Sequence, residues 1–400
     1  LTEAHLASAR LESVDLSGAT ATGLVMTNAR APGAVFRGAN LTRATFADAD
    51  LSGADLAGAN LGEADLSRAR LVGARLEAAM LEGSQWEGAN LDGVILGGAS
   101  LRGLALPGAV LSGVDLSDRD LEGCNLEGAD LTGARLVRSN LKDAVLDEAK
   151  LVGVDLRAAT LEGASLRGAD LSSSQLHSVD FRGASLSGAM LAGADLRKSK
   201  IANQNLSGVD LTRAHVAGAA ITDTLLEGCS ARGVDFTGCD LGDSTFTGSD
   251  LSAANLTEVA ARQTSFEKCE LRGARLTKAI LSHANLRGAV LEGADLRGAR
   301  VDEACIEEAS LRSAVADQAD FSRSRFARTD LAGARLTGAT LRWADLSHAD
   351  LRNADLSRAN LQAAKLHRAL TAGANLSGAD TKDAEETDPE RARAEDFRAG

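Results

Sequence analysis

The sequence predicts an all-β solenoid in which the chain bends at every repeat and each five-residue repeat forms one side of a coil. Three observations predict this fold. A large apolar residue recurs at every fifth position from Leu1 to Leu376, at 70 of 76 positions. A small residue stands two positions before the next large one, again at 72 of 76 positions. Of the 41 glycines, 37 stand two positions after the large residue.

The spacing excludes the two regular alternatives. Apolar residues that alternate two and three positions apart recur on average every 2.5 residues, whereas a helical stripe needs about 3.6 and a straight strand needs 2. A five-residue stripe would wander around a helix and would change faces at each repeat of a strand. Glycine suits the bend because turns often require a positive φ. The large and small residues are therefore expected to point inward and fill the coil.

The repeated units also carry a family resemblance. Residues 54–58 read ADLAG and are followed by Ala59, Asn60 and Leu61, which matches the A(D/N)LxG pattern. The chain resembles the pentapeptide-repeat family over residues 1–380. The resemblance implies a right-handed quadrilateral β-helix with four repeats per coil, hence about 19 coils from the 76 repeats. The residues alone do not choose four sides over three.

The two ends depart from the repeat. Residues 381–400 form a C-terminal tail in which Asp388 suits the N-cap of a short helix and Pro389 its first position. We expect this helix either to cap the last coil or to be mobile. At the other end the sequence begins at Leu1 without a methionine or a visible cap. We therefore expect further sequence before Leu1, and an open coil there could also join two copies end to end.

Charge and cysteine content narrow the class of partner and the compartment. The 43 basic and 56 acidic residues give a net charge of −13, which disfavours nucleic acid and anionic membranes as partners. No apolar run approaches the roughly 20 residues of a membrane span. The five cysteines lack paired spacing, which suits a reducing, cytoplasmic location. Only Cys305 is expected to point outward, while the other four occupy small inward positions.

The sequence predicts no catalytic residue, cofactor or metal. The six histidines are scattered over outward positions, and a filled coil offers no pocket for an enzyme. His348 and His367, near Asp345, are the pair that could hold a metal, but exposed surface histidines are the preferred interpretation. Arg119 and Gln204 are polar residues in small inward positions, where the coil is most prone to deform. Arg119 is expected to turn outward and pair with nearby aspartates.

The favoured function is a non-enzymatic protein–protein interaction scaffold or spacer rod, as a segment of a longer protein. Long pentapeptide-repeat segments resemble the tails of accessory proteins of bacterial contractile secretion systems, which makes such a role a candidate. A docking face should expose apolar side chains. On one side the candidates are Val110, Val152 and Met190, and on another they are Met80, Ile280 and Trp343.

The alternative function is inhibition of DNA gyrase. Known members of the family bind gyrase and protect it from quinolones, with an acidic surface that resembles duplex DNA. The whole solenoid carries about a sixth of the charge of B-DNA of equal length, which argues against mimicry. One acidic patch is nevertheless a candidate, although its members are spread around all four sides: Asp223, Glu227, Asp235, Asp240, Asp243, Asp250 and Glu258.

Overall fold

The computed structural model describes residues 1–398, so the last two residues of the predicted tail lie outside it. The chain divides into two compact units, Leu1–Asp195 and Leu196–Gly400. The regular elements are two short strands in the second unit, β1 (Lys200–Ala202) and β2 (Ala220–Thr222), and one helix, α1 (Pro389–Arg398). Within the described residues, no helix combines the length and the apolar character needed to cross a bilayer.

Each unit is a stack of coils held by backbone hydrogen bonds. Most residues that precede a large apolar position pair in parallel with residues 20 positions away, as Asn40 does with Thr20 and Asn60. Twenty residues contain four repeats, so one turn of the coil takes four pentapeptides. Ile201 of β1 faces Ile221 of β2 in the same register. The predicted repeat solenoid is confirmed, and its extended pieces are mostly too short to be regular strands.

The bend of each repeat uses the left-handed region of backbone conformation. The third residue of the repeat has a positive φ, such as 63° at Gly18. Glycine is not required, because 40 of the described residues other than glycine adopt the same conformation. These include Trp343, with a φ of 56°. Since a left-handed φ costs an L-residue about 1 kcal/mol, glycine is favoured at this position without being obligatory.

Side chains fill the interior of each unit. In the first unit Phe36 and Phe46 are fully buried and their rings meet edge to face, 5.9 Å apart. In the second unit Phe246 and Phe266, one coil apart, stack with ring centroids at 5.5 Å. This close packing leaves the surface as the place where other molecules could bind.

Small polar side chains are tolerated inside where a backbone carbonyl group accepts a hydrogen bond from them. The Ser244 hydroxyl donates to the Ile221 carbonyl at 2.9 Å, and the Cys239 thiol donates to the Val216 carbonyl at 3.0 Å. Each donor reaches back 23 residues to the coil below, so the contact belongs to the repeat geometry. Burial raises the pKa of Cys239 to about 12, so this thiol is an inert core group.

Candidate interaction surfaces

The predicted docking residues of the first unit do not form one patch. Met80 and Met190 expose 54% and 50% of their surfaces, whereas Val110 and Val152 are half-buried. Charged residues also separate Val110 from Met190. The residues between them in the parallel ladder are Asp130, Lys150 and Asp170. Met80 instead lies at an irregularity of the coil.

The backbone ladder is interrupted beside Met80. Met80 pairs with Asn60, but neither Met80 with Ser100 nor Ser100 with Asp120 forms the expected pair. An open cleft of about 610 Å³ separates the two edges and is lined by Met80, Leu81, Arg102 and Leu104, among others.

The bend next to this cleft is also displaced. Gly97, the second residue of its repeat, takes the positive φ of 45° in place of Gly98. A Cβ atom at Gly97 would lie only 2.9 Å from the Glu77 Cα atom, so only glycine fits here. The coil therefore closes tightly at Gly97 and opens beyond Gly98.

Oversized inward residues explain the interruption. Leu104 occupies a small position between Leu101 and Leu106, so its repeat contains no compensating small residue. The other leucine in a small position, Leu24, is balanced by Ala21 in the neighbouring large position, and the ladder there is intact, since Thr45 N–H donates to the Leu24 carbonyl at 2.8 Å. The two leucines therefore differ in this compensation: the ladder is intact at Leu24 and interrupted beside Leu104.

Arg119 lies in the same region and corrects one expectation. Its side chain is half-buried, and among the described residues it has no carboxylate within 4 Å. The expected pairing with a neighbouring aspartate is wrong, because the carboxylate of Asp118 binds Arg138 at 2.6 Å. Arg119 therefore adds a bulky residue without a salt bridge to this coil, although its charge contributes to the lowered pKa of Asp115.

The docking candidates of the second unit are also separate. Ile280 is half-buried, and the paired residues that follow it are Arg300, Asp320 and Thr340. Trp343, in contrast, exposes 46% of its surface. These two residues do not share an apolar surface.

Two arginines lie over the ring of Trp343. The guanidinium carbon of Arg342 lies 4.3 Å from the ring centroid, and that of Arg323, one coil earlier, lies 5.0 Å from it. Both distances are within the range of cation–π attraction. We call Arg323, Arg342 and Trp343 the Arg–Trp patch.

The candidate acidic residues lie on six different columns of the second unit, where a column is a set of residues 20 positions apart. Asp223 and Asp243 are the only two of the seven that stack directly. Several are occupied locally: Asp235 accepts hydrogen bonds from Thr237 and Asn255, and Glu258 lies 3.7 Å from Lys278. The structure does not gather these residues into a stripe.

Helix α1 brings a carboxylate to the two histidines. Glu395 Oε2 lies 3.2 Å from His367 Nε2 and 3.4 Å from His348 Nε2. The expectation of exposed surface histidines is wrong for His367, which is only 4% exposed. Sequence reasoning named Asp345 as the third member and missed Glu395, because no repeat register relates the tail to the coils.

The hydrogen bonds of this cluster favour docking of the helix over binding of a metal. The Asp388 N–H donates to His367 Nδ1 at 3.2 Å, so in the neutral ring the proton is on Nε2 and points toward Glu395. A metal bound at Nε2 would need the proton on Nδ1, facing that N–H group. Arg368 and Arg391 also lie 3.3 and 3.0 Å from the Glu395 carboxylate. Glu395 is therefore the carboxylate that holds α1 against the coils.

The fold defines the class of protein: a coiled repeat solenoid with four five-residue repeats per turn and a filled interior. The family model described as pentapeptide repeats (8 copies) matches residues 1–38, 34–73, 69–103, 109–147, 149–188, 189–228, 304–342 and 341–380. The model described as a pentapeptide repeat region matches residues 219–296. The chain belongs to the pentapeptide-repeat family.

Similar solved structures include other members of this family. HetL, involved in heterocyst differentiation regulation in the cyanobacterium Nostoc, is 29% identical over 55% of this chain and 86% of its own, with a TM-score of 0.29. Full-length QnrB1, a plasmid-mediated fluoroquinolone resistance protein, is 17% identical over 50% of this chain and 97% of its own, with a TM-score of 0.31. No curated protein matches the chain significantly.

Proposed function

We propose that this chain is a non-enzymatic protein–protein interaction scaffold or spacer and a cytoplasmic segment of a longer protein. The observation that carries the proposal is the filled interior of each unit, where side chains as large as Trp86 and Phe326 are at most 1% exposed. Such packing directs any binding to the surface. The matching family models describe repeats and indicate no catalytic family.

The proposal includes a finer architecture and a more specific role. Residues 1–380 would form a right-handed quadrilateral β-helix of about 19 coils, and residues 381–400 a tail that docks through α1. An accessory role in a bacterial secretion system is one form of the scaffold function. An end-to-end homodimer is a second form, since the large residue Leu376 near the end of the repeats is 42% exposed.

Gyrase inhibition is kept as the alternative because one segment is strongly acidic. Between residues 220 and 258 the seven acidic residues face a single base, Arg232. Their scattered columns and local hydrogen bonds give this alternative less support than the scaffold function receives.

Affinity capture with the full chain tests the proposal. We expect a partner protein that is retained by wild type and by the control Arg352→Ala, whose arginine pairs with Asp350 at 2.6 Å. We expect this partner to be lost from Trp343→Gly if docking uses the Arg–Trp patch. Failure to retain any partner would contradict the scaffold function. Inhibition of gyrase supercoiling at micromolar protein would support the alternative.

A further inference from the structure

We propose that the Arg–Trp patch binds an acidic, carboxylate-rich peptide segment of a partner protein. The inference rests on the proposed scaffold function and adds to it the chemistry of the partner. Three features of the patch support it: a bulky exposed aromatic residue at a bend where glycine is commonest, two arginines held over its ring, and the absence of an ion pair for Arg342 among the described residues.

Trp343 occupies a position that the fold would fill better with another residue. Its φ of 56° lies in the left-handed region, which disfavours bulky L-residues and which glycine adopts freely. Glycine is the commonest residue at this position of the repeat. Because 46% of the tryptophan is exposed, core packing does not account for it. A strained, exposed aromatic residue is a reason to look for binding.

The ring holds two guanidinium groups at the surface. Arg342 and Arg323 lie over Trp343 at 4.3 and 5.0 Å. Stacking reduces the conformational freedom of an arginine while leaving its N–H groups at the edge of the plane available for bidentate bonds to carboxylates. Arg342 Nε is buried and has no hydrogen-bond partner among the described residues.

The two arginines of the patch are weakly paired within the chain. Arg342 forms no ion pair within the described residues, and Arg323 forms one long pair, with Glu303 at 4.0 Å. By contrast, Arg335 binds Asp317 at 2.6 Å. Asp345, two residues after Trp343, accepts the Ser347 N–H at its Oδ1.

A peptide fits this surface better than a nucleic acid does. Nucleic-acid binding through bases would use the face of Trp343 for stacking, and two guanidinium groups already lie over that ring. Two arginines are also few for a chain of net charge −13 that would have to attract a polyphosphate. Short-range bidentate bonds to a few carboxylates need no long-range attraction.

Fluorescence polarisation with a labelled decaglutamate peptide tests the inference on the full chain. We expect saturable binding that weakens with salt. Arg342→Ala and Trp343→Gly should each weaken it by about tenfold or more, as expected of central interface residues. The paired-arginine control Arg352→Ala should bind as wild type does. Labelled decalysine and oligothymidylate serve as the cationic and nucleic-acid probes.

The binding measurements can overturn the inference in either of two ways. Absence of decaglutamate binding, or equal binding by the patch variants and wild type, would overturn the inference. Tighter binding of oligothymidylate than of decaglutamate would overturn it in favour of nucleic acid. Trp343→Gly should keep the wild-type circular dichroism and melting temperature, because glycine suits the left-handed bend, so lost binding cannot be attributed to unfolding. Failure here would leave the scaffold function intact, since affinity capture tests that function separately.

Discussion

Replacing Leu104 by alanine should close the interrupted ladder of the first unit. Leu104 fills a small inward position, and four backbone N–H groups of the two separated coils lack the ladder partners that their equivalents have elsewhere. These groups belong to Ala78, Leu81, Gly83 and Ser100. Alanine is the ordinary residue at this position of the repeat. The shortened side chain should let the coils approach and pair.

The size of the effect follows from two opposing contributions. Truncating a buried leucine to alanine removes about 2–5 kcal/mol of stability. Four restored hydrogen bonds at about 0.5–1.5 kcal/mol each would return roughly 2–6 kcal/mol. Leu104→Ala should therefore be close to neutral. Leu106→Ala is the matched control, because Leu106 fills a large position and its N–H already donates to the Asn125 carbonyl at 2.7 Å, so it should show the full loss.

Hydrogen exchange and thermal unfolding measure the two parts of this prediction. The amides of Ala78, Leu81 and Ser100 should exchange rapidly in wild type and become protected in Leu104→Ala. The melting temperature of Leu104→Ala should exceed that of Leu106→Ala. If Leu104→Ala loses as much stability as Leu106→Ala and its amides stay unprotected, overfilling of the coil is not the cause of the interruption.

Three further predictions concern single groups. Cys305 is half-buried, while burial raises the pKa values of the other four thiols to about 11 or about 12. Ellman's reagent at pH 8 should therefore react quickly with one thiol, that of Cys305. Fast reaction of several thiols would contradict this prediction. The hydrogen bond from Arg297 lowers the pKa of Asp295, so the stabilisation from this pair is complete above the unfolded-state pKa near 3.9 and is lost as the pH falls through the folded-state pKa. Melting temperatures should therefore drop below about pH 4, and they should drop less steeply in Asp295→Asn. Equal slopes in the two proteins would refute the assignment. Glu395→Gln should increase amide exchange in α1 but not in the coils, and unchanged exchange in α1 would show that Glu395 does not hold the helix.

Much of the fold could be predicted because the same five-residue pattern of large and small residues repeats along the chain. The position of each large and small residue in the five-residue period predicted which side chains are buried, including the stacked pair Phe246 and Phe266. The number of repeats per turn could not be derived this way. It depends on backbone pairing between residues 20 positions apart, which no five-residue pattern encodes.

The surface features were less predictable because each depends on a departure from the repeat. Trp343 was identified as a docking candidate, but its contacts with Arg342 and Arg323 depend on side-chain direction at a bend. The sequence shows Leu104 and Leu24 as large residues in small inward positions. The signal that could have distinguished them is Ala21, a small residue in the large position beside Leu24, which Leu104 lacks. Glu395 lies outside the repeat, so no register linked it to His367.

The regularity of the stack gives many charged residues a partner of opposite charge. Each outward residue has fixed neighbours 20 positions away, as Arg68 has Asp48 at 2.8 Å and Arg138 has Asp118 at 2.6 Å. Such exposed pairs add little stability. Arg342 has no such pair among the described residues, and its guanidinium lies over the ring of Trp343 instead. The Arg–Trp patch is distinguished by this stacking, which holds a guanidinium group at the surface where a partner's carboxylate can bind it.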